Sequence, residues 1–297
     1  MPAPGPPAEC VINISEGGDD AVLGSLGRAG ADLLLDVHSD PVHNRSVLTL
    51  GGPLEAVEGA ARQVVAEAVA SLDLRSHVGV HPRLGVADVV PFVPLTGPDP
   101  NDGVWSLAIE ARNRFARWAG GELLVPCFLY GPERTLPEVR RLAFDPLEPD
   151  AGPLRPHPTA GASAVGARPV MVAYNVWIGD GRDPGDRGAK DLVLSAARSI
   201  AAELRGPAVR SLGLQMDVGA QVSCNLIDPM SVSVAAVYDA VSERAGVRGY
   251  SVLRGELVGL APRSMLDLIP RHRWPELDLR EDATIESRMA DRHLTSG

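Results

Sequence analysis

The sequence predicts an α+β protein made of two tandem ferredoxin-like subdomains, each a βαββαβ unit whose sheet carries its helices on one face. Three observations lead there. Apolar residues switch between a strand-like period of two and a helix-like period in the same order twice along the chain. At 297 residues the chain exceeds what a single core usually serves. Between the repeats, FDPLEPDAGPLRPHPTAGASAVGA holds five prolines and follows neither period, so it reads as a loop or linker, and so long a loop is a candidate binding loop. The expected subdomains are 1–166, which includes that loop, and 167–297.

The first repeat opens with the strand ECVINI, after which SEGGDDAVLGSLGRAG places acidic residues at a helix start and glycine at its end. DLLLDV and RSVLTL follow as strands separated by the polar turn HSDPVHN. From Leu54 to about Leu72, residues Val57, Ala61, Val64, Ala68 and Leu72 recur at helical spacing, and VADVVPFVP returns as a strand. One more helix, WSLAIEARNRFARWAGG, and one more strand, ELLVPCFLYG, extend this half. The second repeat begins with the strand RPVMVAYNV and a helix from about Lys190, with Val193, Ala197, Ile200 and Leu204 on one stripe. SLGLQMDV and QVSCNLI are then paired strands, VAAVYDAVSERAG a helix and YSVLRGELVG the closing strand. The stretch GDGRDPGDRGAKD lacks the Gly-Lys-Ser/Thr ending of a phosphate loop and reads as a surface turn.

Composition narrows the function classes. Hydrophobic residues at 45% and charged residues at 22% suit a globular core, and aromatics at 4% leave Ala, Val and Leu to fill it. A net charge of -10 with acids and bases interspersed opposes binding to nucleic acid. Cys10, Cys127 and Cys224 are odd in number, far apart and flanked by apolar residues, as expected of buried thiols in a reducing compartment. The N-terminus MPAPGPPAE has neither the basic nor the apolar region of a signal peptide, and no segment approaches the ~18 apolar residues of a membrane span. A cytoplasmic protein is expected.

Four of the seven histidines, His38, His43, His77 and His81, fall within LLLDVHSDPVHNRSV and SHVGVHPRLGVADVVPFVP. With Asp36 and Asp40 they offer nitrogen and oxygen ligands, so a metal-dependent hydrolase is one reading. Against it, Gly79 and Pro82 oppose the helix that would turn His77 and His81 to one face, and Asp36 and His38 share a side only if their strand continues that far. The second reading is a general base. Pro82 biases His81 toward extended backbone, Arg83 sets a guanidinium beside it, and imidazole accepts a proton near neutral pH. The third is that these are turn histidines bonded to backbone.

ECVINISEG, LLLDVHSDPVHNRSV, HVGVHPRLGVADVVPFVP, the GP…G loop of residues 152–161, VGARPVMVAYN, QVSCNL and GELVGLAP together resemble, in order, the motifs of the glutamate formimidoyltransferase family. The resemblance implies a folate-dependent transferase of histidine degradation and one-carbon metabolism. It would move a formimidoyl, or formyl, group between N-formimidoylglutamate and N5 of tetrahydrofolate, with tetrahydrofolate as co-substrate, no metal and a homodimer. It also implies His81 as the base and a folate loop made of Gly152, Pro153, Leu154, Arg155, Pro156, His157, Pro158, Thr159, Ala160 and Gly161. In that chemistry Asp36 or Asp40 would face the cationic amidine, Arg45 and Arg83 the carboxylates, and Gln221 and Asn225 the pterin edge. Two departures stand out: His38 lies where relatives often carry an acid, and the loop lacks aromatics, leaving His157 as its ring for stacking. Ending near position 297, the sequence is expected to lack the cyclodeaminase domain fused to some relatives, so a separate cyclodeaminase is an expected partner. A non-catalytic folate-binding relative is the remaining alternative.

Overall fold

The computed structural model describes residues 5–79, 82–95, 103–180 and 187–294. They divide into two compact units, residues 1–169 with 288–297 and residues 170–287.

In the first unit the chain runs through β1 (Pro7–Ile14), α1 (Asp20–Gly30), β2 (Leu34–Asp40), β3 (Arg45–Pro53), α2 (Leu54–Ser71) and β4 (Ala87–Pro94). It continues through α3 (Gly103–Glu122), β5 (Cys127–Tyr130), α4 (Leu136–Leu142) and β6 (Ser163–Ala167). The sheet order is β2-β3-β1-β4-β6-β5, so the expected βαββαβ unit forms its antiparallel part and β6 and β5 extend it in parallel. Alternation along β1 sends Ala8, Cys10, Ile12 and Ile14 to the side where Val57, Ala61, Val64 and Ala68 of α2 and Phe115 of α3 complete one core. Each such side chain, fully removed from water, contributes on the order of 1.5–3 kcal/mol if it is Val-sized or larger. Phe115 packs against Phe92 at 5.6 Å between ring centroids, and the small residues Ala108, Ala111, Ala116 and Ala119 let α3 lie close to the sheet.

Four sequence expectations are corrected here. Strand β2 runs on to Asp40, so the turn is only residues 41–44 and Asp36, His38 and Asp40 share one face of an edge strand. The end of the segment read as linker is β6, which is buried at all five positions and lies inside the sheet. ELLVPCFLYG is a strand only over its last part, because α3 continues to Glu122 and Pro126 delays pairing to Cys127. Helix α4 was unforeseen: Thr135 caps it in a reciprocal box with Glu138, and its Val139 joins Phe128, Tyr130, Val89, Ala162 and Ala164 in a separate small core. The alternation of β5 and β6 puts that core on the face opposite α3, so this unit's helices are not all on one face.

In the second unit β7 (Val172–Gly179), α5 (Arg187–Leu204), β8 (Val209–Gln215), β9 (Ala220–Leu226), α6 (Val234–Val247) and β10 (Ser251–Val258) give an antiparallel sheet of order β10-β7-β9-β8. This is the same connectivity as the antiparallel part of the first sheet. Tyr174, Val176 and Ile178 of β7 and Val222, Cys224 and Leu226 of β9 face α5 and α6, while Asn175, Trp177, Gln221 and Ser223 take the other face by alternation. The predicted surface turn GDGRDPGDRGAKD falls in part on residues 181–186, outside the described residues, and its end is helical, since α5 begins at Arg187. After β10 come α7 (Arg263–Asp267) and α8 (Ile285–Asp291), between which Trp274, Leu277, Leu279 and Ala283 close the core. Among the described residues no helix is long and apolar enough to cross a membrane.

Candidate functional site

His81 lies outside the described residues, and the site is therefore built from what surrounds its position in the chain. The residues that follow it are held on three sides. Leu84 O accepts from Ala162 N at 3.0 Å and Val86 N donates to Ala160 O at 2.9 Å, so the segment after the HPR motif is stitched to the end of the Gly152–Gly161 loop. Ser15, from the first motif, donates through N to Val86 O and through Oγ to Gly85 O, both at 2.8 Å. The third support is Asp88, whose Oδ1 accepts from Leu84 N at 2.7 Å.

Asp88 is fully buried between two guanidiniums, Arg45 Nη1 at 2.9 Å and Arg140 Nη2 at 2.6 Å. Burial pushes its carboxyl up, but Arg45, Arg140 and the Leu84 N–H outweigh this and hold it below the usual carboxylate range. Arg45 also donates Nη2 to Asn13 Oδ1 at 2.6 Å, and Arg140 donates Nη1 to Pro82 O at 3.1 Å. Arg83 is half-buried and donates to Gly79 O at 2.7 Å; burial draws its guanidinium below its ordinary value and Asp88 opposes that. The two arginines expected at substrate carboxylates thus have partners inside the fold, Arg45 most firmly.

Asn44 ties the remaining motifs together. In the left-handed region at φ 48°, it accepts Gly17 N on Oδ1 at 3.0 Å and donates Nδ2 to Val78 O at 2.8 Å, with His77 Nδ1 at 3.3 Å. Asp40 accepts Val42 N and His43 N on Oδ1 at 2.8 and 2.9 Å, closing the turn after β2, and its Oδ2 lies 3.6 Å from His43 Nδ1. Asp36 and His38 stay half-buried on the face turned away from α1 and α2, opposite Thr49 and Val47. Among the described residues no group of three or more His, Cys, Asp and Glu side chains is gathered as a metal would require.

The glycines that bound the loop have a steric reason to be there. Gly152 has φ +88° and Gly161 φ +70°, and a Cβ on Gly161 would stand 2.3 Å from Leu84 O. Between them Leu154, Arg155, Pro156 and Pro158 are exposed, Pro153 and Thr159 half-buried and Ala160 buried. His157, proposed for stacking, accepts Ala160 N on Nδ1 at 2.9 Å and exchanges backbone bonds with Gly161, so its ring caps the loop's own turn. Thr159 O accepts Leu74 N at 2.8 Å.

In the second unit Gln221 is fully buried and Asn225 is exposed on the same face of β9. Glu256 gathers this face: its Oε2 accepts from Asn175 Nδ2 at 3.0 Å, Trp177 Nε1 at 3.2 Å and Gln221 Nε2 at 3.4 Å. Arg254 lies over the Trp177 ring at 4.2 Å. Gln221 Oε1 is buried and has no hydrogen-bond partner among the described residues, which leaves an acceptor for an N–H donor. The sequence reading missed Asn13, Asn44, Asp88, Arg140 and Glu256; the Asp within VADVVPFVP was the one visible hint. A cavity of about 390 Å³ in the first unit, lined by Glu55, Glu58, Gly59, Arg62 and Arg114, shares no residue with either group, and Glu58 is already paired there with both arginines.

Residues 7–168 match the family described as formiminotransferase domain, N-terminal subdomain. The chain belongs to this family of transferases. It is 33% identical over 284 residues to a glutamate formimidoyltransferase of Streptococcus pyogenes serotype M1, covering 87% of this chain and 90% of that one. A glutamate formimidoyltransferase of Thermoplasma acidophilum is 31% identical, with 87% and 89% covered. A formimidoyltransferase-cyclodeaminase of Sus scrofa is 33% identical over 87% of this chain but is spanned over only 51% of its own length.

Proposed function

We propose that the chain transfers a formimidoyl group from N-formimidoylglutamate to N5 of tetrahydrofolate in histidine degradation, with His81 as general base. The observation that carries this is the backbone pairing of Leu84 and Val86 with Ala160 and Ala162, which joins the segment just after the HPR motif to the glycine-bounded loop. The fit to folate as co-substrate rests on the buried, unpartnered Gln221 Oε1 beside the Glu256 carboxylate, an acceptor set suited to the N–H edge of a pterin.

His81 takes the proton that N5 loses as N5 bonds to the amidine carbon. Protonated His81 then gives that proton to the glutamate nitrogen, so the carbon–nitrogen bond breaks, glutamate leaves and the base is restored. Asp36 or Asp40, both on the face of β2 turned away from α1 and α2, supplies the carboxylate for the amidinium. Arg83 is favoured over Arg45 for a substrate carboxylate, since Arg45 is bound to buried Asp88 and to Asn13. A cytoplasmic homodimer, with ammonia released by a separate cyclodeaminase, completes the proposal.

Purified protein is assayed with N-formimidoylglutamate and tetrahydrofolate, and beside it with 5-formyltetrahydrofolate and glutamate. Turnover in the first supports the reading, and turnover only in the second makes the donor a formyl group. Folate binding without turnover in either overturns it in favour of a binding protein.

A further inference from the structure

Two backbone groups that follow the base in sequence are bonded to one buried ion cluster. Leu84 N donates to Asp88 Oδ1 at 2.7 Å, and Pro82 O accepts from Arg140 Nη1 at 3.1 Å while the same guanidinium grips Asp88 through Nη2 at 2.6 Å. Arg45 closes the cluster from β3 at 2.9 Å, and Asn13 of β1 fixes Arg45 in turn. Asp88 is fully buried, and the arginine side chains are 16% and 22% exposed. A carboxylate needs one cation for charge balance. The second arginine comes from α4, a helix outside the βαββαβ repeat that reaches across to the backbone beside the base. A guanidinium can fork between a carboxylate and a carbonyl in fixed geometry, which an ammonium cannot do.

We infer that Asp88 and Arg140 are positioning residues for the transfer reaction: together they fix the backbone of Pro82–Leu84 and so set where the preceding residue, His81, presents its imidazole. The inference rests on the proposed role of His81. Neither residue touches the reacting atoms; they hold the frame, and an error of about 1 Å in such a frame can cost roughly a hundredfold in rate.

The test uses the full chain with three variants, Arg140→Met, Arg140→Lys and Asp88→Asn, read by kcat, both KM values, thermal unfolding and amide exchange of the peptide spanning residues 79–86. In Arg140→Met the expected result is a fall in kcat of about ten- to a hundredfold. Both KM values stay within about threefold, exchange is faster at 79–86 and circular dichroism is unchanged. Arg140→Lys keeps the charge but not the fork, and its kcat falls between wild type and Arg140→Met. Asp88→Asn keeps an acceptor for Leu84 and loses the ion pairs, with the same kcat signature at a temperature where it is folded. If Asp88→Asn does not fold, the Arg140 pair decides alone. A folded Arg140→Met with kcat within threefold of wild type overturns the inference, as does a loss confined to KM or full rescue by Lys. A wild-type protein without turnover instead overturns the proposed function, while the exchange measurement still reports whether the cluster holds the segment.

Discussion

Gln221 donates Nε2 to Glu256 Oε2 at 3.4 Å while its own Oε1 is buried with no hydrogen-bond partner among the described residues. Such an acceptor lowers stability until a donor reaches it, at a cost of about 1–3 kcal/mol. Replacing Gln221 with Met removes the orphan and keeps the volume. Thermal unfolding of the free protein is expected to show unchanged or higher stability, and a fluorescence titration a loss of folate affinity of about tenfold or more. Equal folate affinity in the variant would remove Gln221 from the site.

His81→Ala is expected to fold normally and to lose at least roughly a hundredfold in turnover, the scale of a positioned base. In the wild type, kcat is expected to fall as the pH drops through the ordinary imidazole range, near ~6.5, because the protonated ring cannot accept a proton. Steady-state rates from pH 5 to 8 check both points, and a flat profile with chemistry limiting, or a variant within a few-fold of wild type, counts against the assignment.

Asp88 titrates below the usual carboxylate range in the folded protein because Arg45 and Arg140 outweigh its burial. A group whose folded pKa is depressed adds stability above its unfolded value, about 3.9, and that stability disappears as the pH falls through the folded value. Wild type is therefore expected to lose stability below about pH 4 more steeply than Asp88→Asn, while at pH 7 the variant is less stable. Breaking a buried pair costs roughly 3–5 kcal/mol, and the exposed edges of both guanidiniums place this case toward the lower end. Urea unfolding at pH 3, 5 and 7 measures the difference, and parallel curves for the two proteins would contradict it.

The repeated βαββαβ order was legible because each element is long enough to show its period, as α2 does with Val57, Ala61, Val64 and Ala68. Strand β6 was hidden because Ser163–Ala167 is buried on both faces, so it has no alternation to read, and its Gly166 leaves room for the Tyr130 ring, which a Cβ would meet at 2.1 Å. Helix α4 has seven residues, too few for a stripe, although Thr135 and Glu138 spell its capping box. The cluster of Asp88, Arg45 and Arg140 joins residues 43 and 52 positions apart, and only topology brings them together. His157 shows the opposite limit: the sequence pointed to the residue, but which group its ring bonds depends on a turn that must first be folded.

The glycine ends of the loop give the last prediction. At Gly161, φ +70° disfavours any L side chain by about 1–2 kcal/mol, and an added Cβ would also stand 2.3 Å from Leu84 O, in the backbone that follows the HPR motif. Gly161→Ala must therefore push Leu84 and Gly161 apart, weakening the bond from Ala162 N to Leu84 O. Gly152→Ala, at φ +88°, carries a similar strain but presses on Gly120 and Val125, away from Leu84. Gly206→Ala is the control, because nothing lies within 4 Å of its Cβ. Thermal unfolding is expected to rank Gly206→Ala as near neutral and both loop variants as destabilised. Turnover measured on the folded proteins is expected to separate the two loop variants, with the larger loss in Gly161→Ala. Equal turnover in Gly161→Ala and Gly206→Ala would show that the pairing between Leu84 and the loop end does not support catalysis.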